Sequence, residues 1–249
     1  MSARLSARGL VVRYGGLHAL DGVDLDVAPG EIVGLVGGNG AGKTTLLGCL
    51  SGHVHPQEGR VLLDGVDISR WRADARAGSG VIRTFQDARL FGTMRAGDVL
   101  LLAGERAEHS GLLGSLCATP GWRRAERRRV ASVRAIAARV GLEPFLDVAV
   151  AQLSTGVRHL LELACAVSLR ASVLLLDEPS SGLASAELGP LEDVIRGLRA
   201  DTAASIVMVE HDLALVARLA DAVVVLEEGH VRVAGAAVVL PAPDGQTRS

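Results

Sequence analysis

The stretch Ile32-Val33-Gly34-Leu35-Val36-Gly37-Gly38-Asn39-Gly40-Ala41-Gly42-Lys43-Thr44 decides the fold of this 249-residue chain. Its first five residues are nearly all apolar, which predicts a short strand buried on both faces of a parallel sheet. Four residues then separate Gly37 from Gly42-Lys43-Thr44, the spacing of a P-loop between a strand and a helix. Glycines let successive N–H groups point at phosphate oxygens, so the stretch predicts a cradle for the phosphates of a nucleotide.

Lys43 is the single lysine among 26 lysine and arginine residues. This background favours arginine, so the exception suggests that the site needs a compact ammonium group. Lys43 is predicted to reach the β- and γ-phosphates and Thr44 to ligate Mg²⁺, at the start of a helix from about 43 to 51 that Gly52 stops. The alternative is a plain glycine-rich turn. The predicted phosphate-binding set is Gly37, Gly38, Asn39, Gly40, Ala41, Gly42, Lys43, Thr44 and Thr45.

The flanking sequence predicts an α/β fold. Residues 8–27 alternate between apolar and polar around Gly15-Gly16, as the strands of an antiparallel hairpin do, and a further strand is predicted at 60–64. Residues 87–164 are rich in alanine, arginine and leucine with helical spacing, which predicts a helical insert. Buried strands then alternate with helices, which predicts a parallel, doubly wound sheet. These segments are strands at 172–176, 205–209 and 222–226 and helices at 186–199 and 213–219.

Two carboxylates end the apolar stretch Val173-Leu174-Leu175-Leu176-Asp177-Glu178. The carboxyl ends of parallel strands face the ligand crevice of an open sheet, so we expect these acids beside the P-loop. Asp177 is then placed to hold Mg²⁺ through its water shell. Glu178 is placed to orient and deprotonate the water that attacks the terminal phosphate.

Composition excludes several other classes of protein. The formal net charge of −2 gives no global electrostatic reason to bind nucleic acid. Apolar runs stop after a few residues, far short of the roughly 20 that cross a bilayer, and the first residues contain no apolar signal region. The three cysteines are too far apart for a zinc or redox pair. We therefore expect a cytoplasmic chain with no nucleic-acid partner.

A third motif, Leu153-Ser154-Thr155-Gly156-Val157, precedes an apolar helix. Alone it predicts only a serine N-cap. The order of P-loop, helical insert, Leu-Ser-x-Gly and Asp-Glu strand, however, resembles the ABC ATPases, whose signature here is Leu-Ser-Gly-Gly-Gln. The resemblance extends over about residues 5–235.

The resemblance implies one ABC ATPase domain over residues 1–249 with the P-loop NTPase fold. Its nucleotide-binding core would have a RecA-like parallel sheet and an N-terminal antiparallel β subdomain. The core is expected at 5–86 and 165–235, an inserted α-helical subdomain at 87–164 and a C-terminal tail at 236–249.

The resemblance also implies roles for further residues. Tyr14 matches the aromatic residue that stacks on adenine, with an ordinary strand aromatic as the alternative. Gln86 matches the glutamine that touches Mg²⁺ and the water, and His211 the histidine that contacts the γ-phosphate; with Glu178 they form the expected catalytic set. Ser154 and Gly156 match the loop that contacts the γ-phosphate held by a second subunit.

Three segments of the sequence resemble the longer ATPase subunit of branched-chain amino acid importers. They are Arg-Thr-Phe-Gln-Asp-Ala-Arg-Leu-Phe at 83–91, the long arginine-rich insert near 104–129 and Glu-His-Asp-Leu-Ala-Leu-Val at 210–216. This resemblance implies an ATP-hydrolysing subunit that powers solute uptake at the cytoplasmic face of the cell membrane. The implied partners are a second ABC ATPase subunit, transmembrane permease subunits and, indirectly, an extracytoplasmic solute-binding protein.

Three residues depart from the family pattern. Val157 replaces the signature glutamine, Ala184 replaces the usual Asp or Asn, and Gly38 replaces a common proline. The first two suggest a weakened signature half, so that one ATP site of a heterodimer would hydrolyse slowly. They leave open a degenerate regulatory subunit with weak hydrolysis. A soluble non-transport ABC ATPase is a further alternative, although such proteins usually carry two cassettes or a coiled-coil insert.

Overall fold

The strand that leads into the P-loop, β3 (Ile32–Val36), is buried along its whole length. In the computed structural model, which describes residues 4–84, 92–107 and 120–236, β3 lies between two parallel strands, β8 (Ser205–Val209) and β9 (Ala222–Glu227). The next strand, β10 (His230–Ala236), runs antiparallel to β9. Every residue of β3 and β8 is buried, as expected of strands covered on both faces.

Two helices belong to this arrangement. Helix α1 (Lys43–Ser51) follows the P-loop and ends at Gly52, whose φ of 82° places it in the left-handed conformation typical of a helix end. The short helix α7 (Leu213–Leu219) lies against β3, because a Cβ added to Gly34 would come 2.4 Å from Val216 Cγ1. Gly34 therefore allows the close approach of helix to strand.

An antiparallel sheet belongs to the same part of the chain. The long hairpin of β1 (Leu5–Tyr14) and β2 (Leu17–Val27) turns at Gly15-Gly16. The edge is built by β4 (Glu58–Leu63) and the two-residue strand β5 (Val66–Asp67). The strand order of this sheet is β2-β1-β4-β5. Together these elements form one unit of the chain, Met1–Arg72 with Ser205–Ser249.

The second unit is Ala73–Ala204. Strand β6 (Val81–Arg83) pairs in parallel with β7 (Val173–Asp177). The described helices of this unit are α2 (Ala73–Gly78), α3 (Ala96–Ala107), α4 (Pro120–Arg139), α5 (Thr155–Ser168) and α6 (Ser185–Thr202), with single 3₁₀ turns at Glu143–Phe145 and Val150–Gln152. Helix α3 packs against α4 and α5, and α5 packs against α6.

The predicted α/β fold is confirmed, and most predicted elements lie within three residues of their observed bounds. Helix α4 begins at Pro120, and proline at the first helical position loses no intrahelical hydrogen bond. Four of the described helices and strands were not predicted. Helix α2 and the strands β5 and β6 are too short to show a period, and β10 contains a glycine. Strand β4 begins two residues before its predicted start. The division into a nucleotide-binding core and an insert at 87–164 stays a prediction, and most of the predicted tail lies outside the described residues.

Candidate functional site

The P-loop is already curled around the side chain of Lys43. The Lys43 Nζ donates hydrogen bonds to the carbonyl oxygens of Gly37, at 2.7 Å, and Gly38, at 2.9 Å. The side chain is buried, while Thr44 at the first turn of α1 is exposed. The ammonium group thus holds the loop in shape through two carbonyl contacts, which phosphate oxygens can replace.

Two glycines of the loop are required by close approach. A Cβ on Gly37 would lie 2.2 Å from the carbonyl oxygen of Leu226, and one on Gly42 would lie 2.3 Å from that of Ala19. Gly42 also has a φ of 103°, which disfavours any other residue. It immediately precedes α1 and has no side chain with which to cap the helix. The first-turn N–H groups of a helix lack intrahelical partners, so this end of α1 suits an anion.

His211 lies at the same sheet edge as the P-loop. In the parallel pair of β3 and β8, Leu35 is opposite Val209. Gly37 comes two residues after Leu35 and His211 two residues after Val209, so both follow the strands at the same level. His211 is exposed, whereas its neighbour Glu210 is buried and donates its N–H to the Leu35 carbonyl at 3.4 Å. Asp212 then caps α7 by accepting from the N–H of Ala214 at 2.9 Å. The backbone around His211 is thereby fixed.

Tyr14 ends strand β1 and is 54% exposed, an unusual state for a large aromatic side chain. It lies opposite Leu17, which is also exposed. The same hairpin reaches the P-loop, since the Ala19 carbonyl borders Gly42. The first unit of the chain therefore brings together the P-loop, the hairpin that carries Tyr14 and the edge that carries His211.

The two predicted acidic residues lie at the end of β7 in the second unit. Asp177 is the last residue of the strand, and its Oδ2 accepts a hydrogen bond from an Arg83 guanidinium nitrogen at 2.7 Å. Glu178 follows with a φ of 49°, a left-handed conformation that is uncommon outside glycine, asparagine and aspartate and that often marks functional sites. The contact of Arg83 was missed at the sequence level. The signal that could have found it is the Val-Ile-Arg strand directly before the predicted Gln86 segment.

The signature segment forms the start of α5. The Ser154 Oγ accepts the Val157 N–H at 3.3 Å, so the serine is the N-cap that it alone would predict. Ser154 is exposed and Gly156 is buried. A Cβ on Gly156 would lie 2.6 Å from Glu187 Oε1, and the other oxygen of Glu187 accepts the Ala184 N–H at 2.9 Å. Gly156 therefore allows the start of α5, with Val157, to approach the start of α6, with Ala184.

Helix α5 carries a group of perturbed side chains beyond the signature. Burial raises the pKa of Glu162 to about 7. Burial, helped by the charge of Glu162, raises the pKa of the Cys165 thiol to about 12. Burial also lowers the pKa of His159, although the Pro179 carbonyl and Glu187 oppose this shift. Cys165 is therefore an unreactive thiol, and Glu162 is the group of this helix that titrates near neutral pH.

Glu162→Gln is expected to stabilise the protein at high pH. The folded-state pKa of about 7 lies above the ordinary 4.5, so the stability that the protonated form contributes is present below pH 4.5 and is lost as the pH rises through 7. The amide avoids this loss, which we put at roughly 2 kcal/mol because the group is only partly buried. Thermal unfolding should show a higher Tm at pH 8 and little change at pH 4.5. The exposed Glu143→Gln is the matched control, and an equal gain at both pH values would contradict the assignment.

The predicted catalytic residue Gln86 lies outside the described residues, so its role stays a prediction.

Among the residues that the structure describes, no group of three or more His, Cys, Asp or Glu side chains could hold a metal ion. Mg²⁺ does not need such a group, since it is held by one or two carboxylates together with substrate phosphates and water. Each of the two predicted ligands in the described residues carries a hard oxygen donor of the kind this ion takes, a hydroxyl on Thr44 in the first unit and a carboxylate on Asp177 in the second. Within the same described part of the chain, no helix is long and apolar enough to cross a membrane.

The phosphate cradle, with a lysine at the start of a helix that follows a buried parallel strand, defines a P-loop nucleotide-binding protein. Comparisons with known proteins specify the family. The model of the ABC transporter family matches residues 20–181. The chain belongs to this family of ATP-binding and ATP-hydrolysing cassettes, and the predicted fold class and the resemblance to ABC ATPases are confirmed.

Curated relatives extend the likeness to almost the whole chain. It is 37% identical to the high-affinity branched-chain amino acid transport ATP-binding protein BraF of Pseudomonas aeruginosa, over 90% of this chain and 88% of that protein. Identity to LivG of Escherichia coli, which carries the same description, is 36% over the same shares. A ribose import ATP-binding protein of Rubrobacter xylanophilus is 33% identical over 93% of this chain but only 44% of its own length.

Solved structures show the same architecture. A nucleotide-free ATP-binding cassette from an ABC transporter superposes with a TM-score of 0.78 at 28% identity, over 95% of this chain and 92% of the other. The ADP conformation of an ATP-binding cassette of an ABC transporter gives a TM-score of 0.80 at 27% identity, with the same coverage. The fold is therefore that of an ABC cassette along nearly the full chain.

Proposed function

We propose that this chain is the ATP-hydrolysing subunit of an importer for branched-chain or related amino acids. One observation carries the proposal: a P-loop whose lysine is held between loop carbonyls belongs to a chain that is similar to BraF and LivG over 90% of its length. Both relatives are described as branched-chain amino acid transport proteins. The substrate itself is chosen by other subunits, since fold alone does not set function.

Phosphate binding is assigned to the P-loop. Lys43 exchanges the Gly37 and Gly38 carbonyls for the β- and γ-phosphates, so that its charge is compensated both before and after binding. The backbone N–H groups from Gly38 to Thr45 surround the phosphate oxygens, helped by the positive end of the α1 dipole. No large movement of Lys43 is required, because the loop is already curled around it.

Mg²⁺ is the metal that this chemistry requires. We assign it to the Thr44 hydroxyl and to Asp177 acting through water, with Gln86 as a further ligand. When bound, the ion neutralises charge that develops on the phosphate oxygens. Glu178 accepts a proton from the attacking water, and Gln86 and His211 fix the positions of that water and of the γ-phosphate.

Tyr14 is proposed to stack on adenine. Tyr14→Ala should weaken binding of both ATP and ADP about tenfold, since aromatic stacking contributes on the order of 1 kcal/mol beyond area burial. Tyr14→Phe should bind normally, because the ring and not the hydroxyl makes the contact. Fluorescence titration with a labelled nucleotide measures this. The exposed Val66→Ala in the same sheet is the control, and unchanged affinity in Tyr14→Ala would leave Tyr14 as an ordinary strand residue.

A second ATPase subunit is proposed to complete the site. The exposed Ser154 and the start of α5 would contact the γ-phosphate bound by that subunit. The Val157 side chain has no polar atom, and Ala184 precedes α6 without a side-chain cap. We therefore infer that this chain contributes only weakly to hydrolysis at the ATP site that its signature segment completes. These two residues favour a mainly regulatory subunit as the second candidate function.

Restoring both residues should speed hydrolysis. Val157→Gln together with Ala184→Asp is expected to raise ATP turnover of the assembled transporter several-fold. Aspartate at a helix N-cap also stabilises α6 by about 1 kcal/mol, so Ala184→Ser, which caps without restoring the acid, is the control for stability. Phosphate release measured on the assembled transporter tests this expectation. Unchanged turnover would contradict the hypothesis that Val157 and Ala184 slow hydrolysis at one ATP site.

The implied place is the cytoplasmic face of the cell membrane, beside permease subunits that receive substrate from an extracytoplasmic solute-binding protein. In this arrangement residues 87–164 would contact the permease. Affinity purification of the tagged full chain from membranes tests the proposal. A membrane-spanning subunit should come with it, and deletion of the chain should abolish uptake of labelled leucine. Recovery without any membrane-spanning subunit, or normal uptake of all branched-chain amino acids after deletion, would contradict the importer function.

A further inference from the structure

The carboxylate that we assign to the metal already has a cation on it. An Arg83 guanidinium nitrogen donates to Asp177 Oδ2 at 2.7 Å, and the two side chains are 10% and 11% exposed. The residues are 94 positions apart in the sequence. Their contact is therefore a product of the fold and not of local chain geometry.

The backbone fixes the position of Arg83. It is the last residue of β6 and is paired with Leu175 in the parallel strand β7, two residues before Asp177. The next residue, Thr84, donates its N–H to the Leu175 carbonyl at 3.0 Å. Arg83 thus leaves its strand at the level where β7 ends in Asp177, and the guanidinium reaches the carboxylate from a rigid base.

A carboxylate buried to this degree is unstable without a positive charge or several donors. Arg83 supplies that charge. A divalent ion at Asp177 would place a second positive charge beside the guanidinium, and two like charges at short range repel strongly in a site of low dielectric constant. The metal and the arginine therefore compete for the same carboxylate.

We propose that Arg83 is the resident counter-cation of Asp177: it neutralises this carboxylate before the magnesium nucleotide binds, and the metal weakens the ion pair when it arrives. The inference rests on the proposed role of Asp177 and adds to it a residue that sets the magnesium requirement. Arg83 is a positioning residue, since it acts through Asp177 and not on the nucleotide.

The first test needs no nucleotide. A double-mutant cycle of Arg83→Met and Asp177→Asn is measured by thermal unfolding of the full chain in EDTA. Arg83→Met should lower the Tm clearly when residue 177 is aspartate and much less when it is asparagine, because the charge that needs compensation is then gone. Arg83→Lys keeps the charge and should retain most of the stability. Equal losses in both backgrounds would reduce Arg83 to a packing residue and overturn the proposal.

The second test measures competition with the metal. At fixed ADP, Mg²⁺ is titrated and the rise in Tm is followed. Arg83→Met should show a larger rise than the wild type and reach half of it at a Mg²⁺ concentration about threefold lower or less, since a repelling charge has been removed. Arg95→Met is the matched control, because Arg95 forms an exposed ion pair with Asp147 in the same unit and should leave the magnesium requirement unchanged.

Two results of the titration would contradict competition. An unchanged magnesium requirement would show that the ion pair is only a brace between β6 and β7. A higher requirement would show that Arg83 prepares the carboxylate for the metal. If the wild type itself gave no magnesium-dependent rise with ADP, the proposed function would fail, and the competition with it, while the cycle in EDTA would still decide whether Arg83 compensates Asp177.

Discussion

Glu178→Gln should reduce ATP hydrolysis by about 100-fold or more, the usual loss when a general base is removed, while ATP binding stays intact. The amide has nearly the same shape as the carboxylate, so it keeps the fold, but it cannot accept the proton of the attacking water. Glu178 also holds a left-handed backbone conformation with a φ of 49°, which fixes the side chain directly after Asp177. Phosphate release and nucleotide affinity, both measured on the assembled transporter, separate the two effects.

Glu228 provides a matched control for this substitution. It is another glutamate with a left-handed φ, 47°, and it is exposed in the turn between β9 and β10. Glu228→Gln repeats the chemical change in the same backbone conformation. Its turn contacts the P-loop, since the Gly229 N–H donates to the Ala41 carbonyl at 3.1 Å, but Glu228 has no proposed part in the chemistry, so hydrolysis should remain normal. A transporter that hydrolyses ATP equally well with Glu178→Gln would exclude this residue as the base. A wild type with no hydrolysis to lose would favour the regulatory subunit.

Lys43→Ala should weaken the binding of ATP about 10- to 100-fold, since a hydrogen bond to a charged group contributes roughly 1.5–3 kcal/mol. The substitution also removes the two contacts that hold the Gly37 and Gly38 carbonyls, so the loop loses its shape as well as its charge. The loss should be larger for ATP than for ADP, because the ammonium reaches the γ-phosphate. Isothermal titration calorimetry in Mg²⁺ measures both.

Lys43→Arg is the informative companion of this variant. It keeps the positive charge but replaces the compact ammonium with a planar guanidinium, whose donors have a different geometry from the single Nζ that contacts both loop carbonyls. We expect it to bind ATP nearly as poorly as Lys43→Ala. The exposed Arg60→Ala controls for loss of a charge elsewhere in the same unit. Full affinity in Lys43→Arg would show that charge alone matters. It would contradict the interpretation that position 43 requires a compact ammonium group.

The parts of the fold that the sequence predicted correctly are those with local signals. The spacing of the P-loop, the apolar runs of β3 and β8 and the stop at Gly52 each involve neighbouring residues only. The order of these signals along the chain was enough to predict the family. Ser154 likewise acts as the N-cap that its residue type indicates, because capping depends on three or four consecutive residues.

The parts that it could not predict depend on contacts between distant residues. Nothing in the sequence pairs Arg83 with Asp177, since their contact requires β6 and β7 to be adjacent. The shifted pKa of Glu162 arises from burial on α5, where a glutamate among leucines and alanines could equally have faced solvent. The carbonyl contacts of Lys43 depend on the loop's curvature. Such contacts determine the electrostatics of the site. The sequence therefore predicted which residues belong to the site but not which charged groups are paired or buried in it.

Binding of a magnesium nucleotide at the P-loop is tested by calorimetric titration of the purified full chain with ATP, with and without Mg²⁺. We expect saturable binding of one ATP per chain that Mg²⁺ strengthens and that Lys43→Ala greatly weakens. A chain that takes up no ATP in Mg²⁺, or that binds it equally well after Lys43→Ala, would contradict nucleotide binding at this loop.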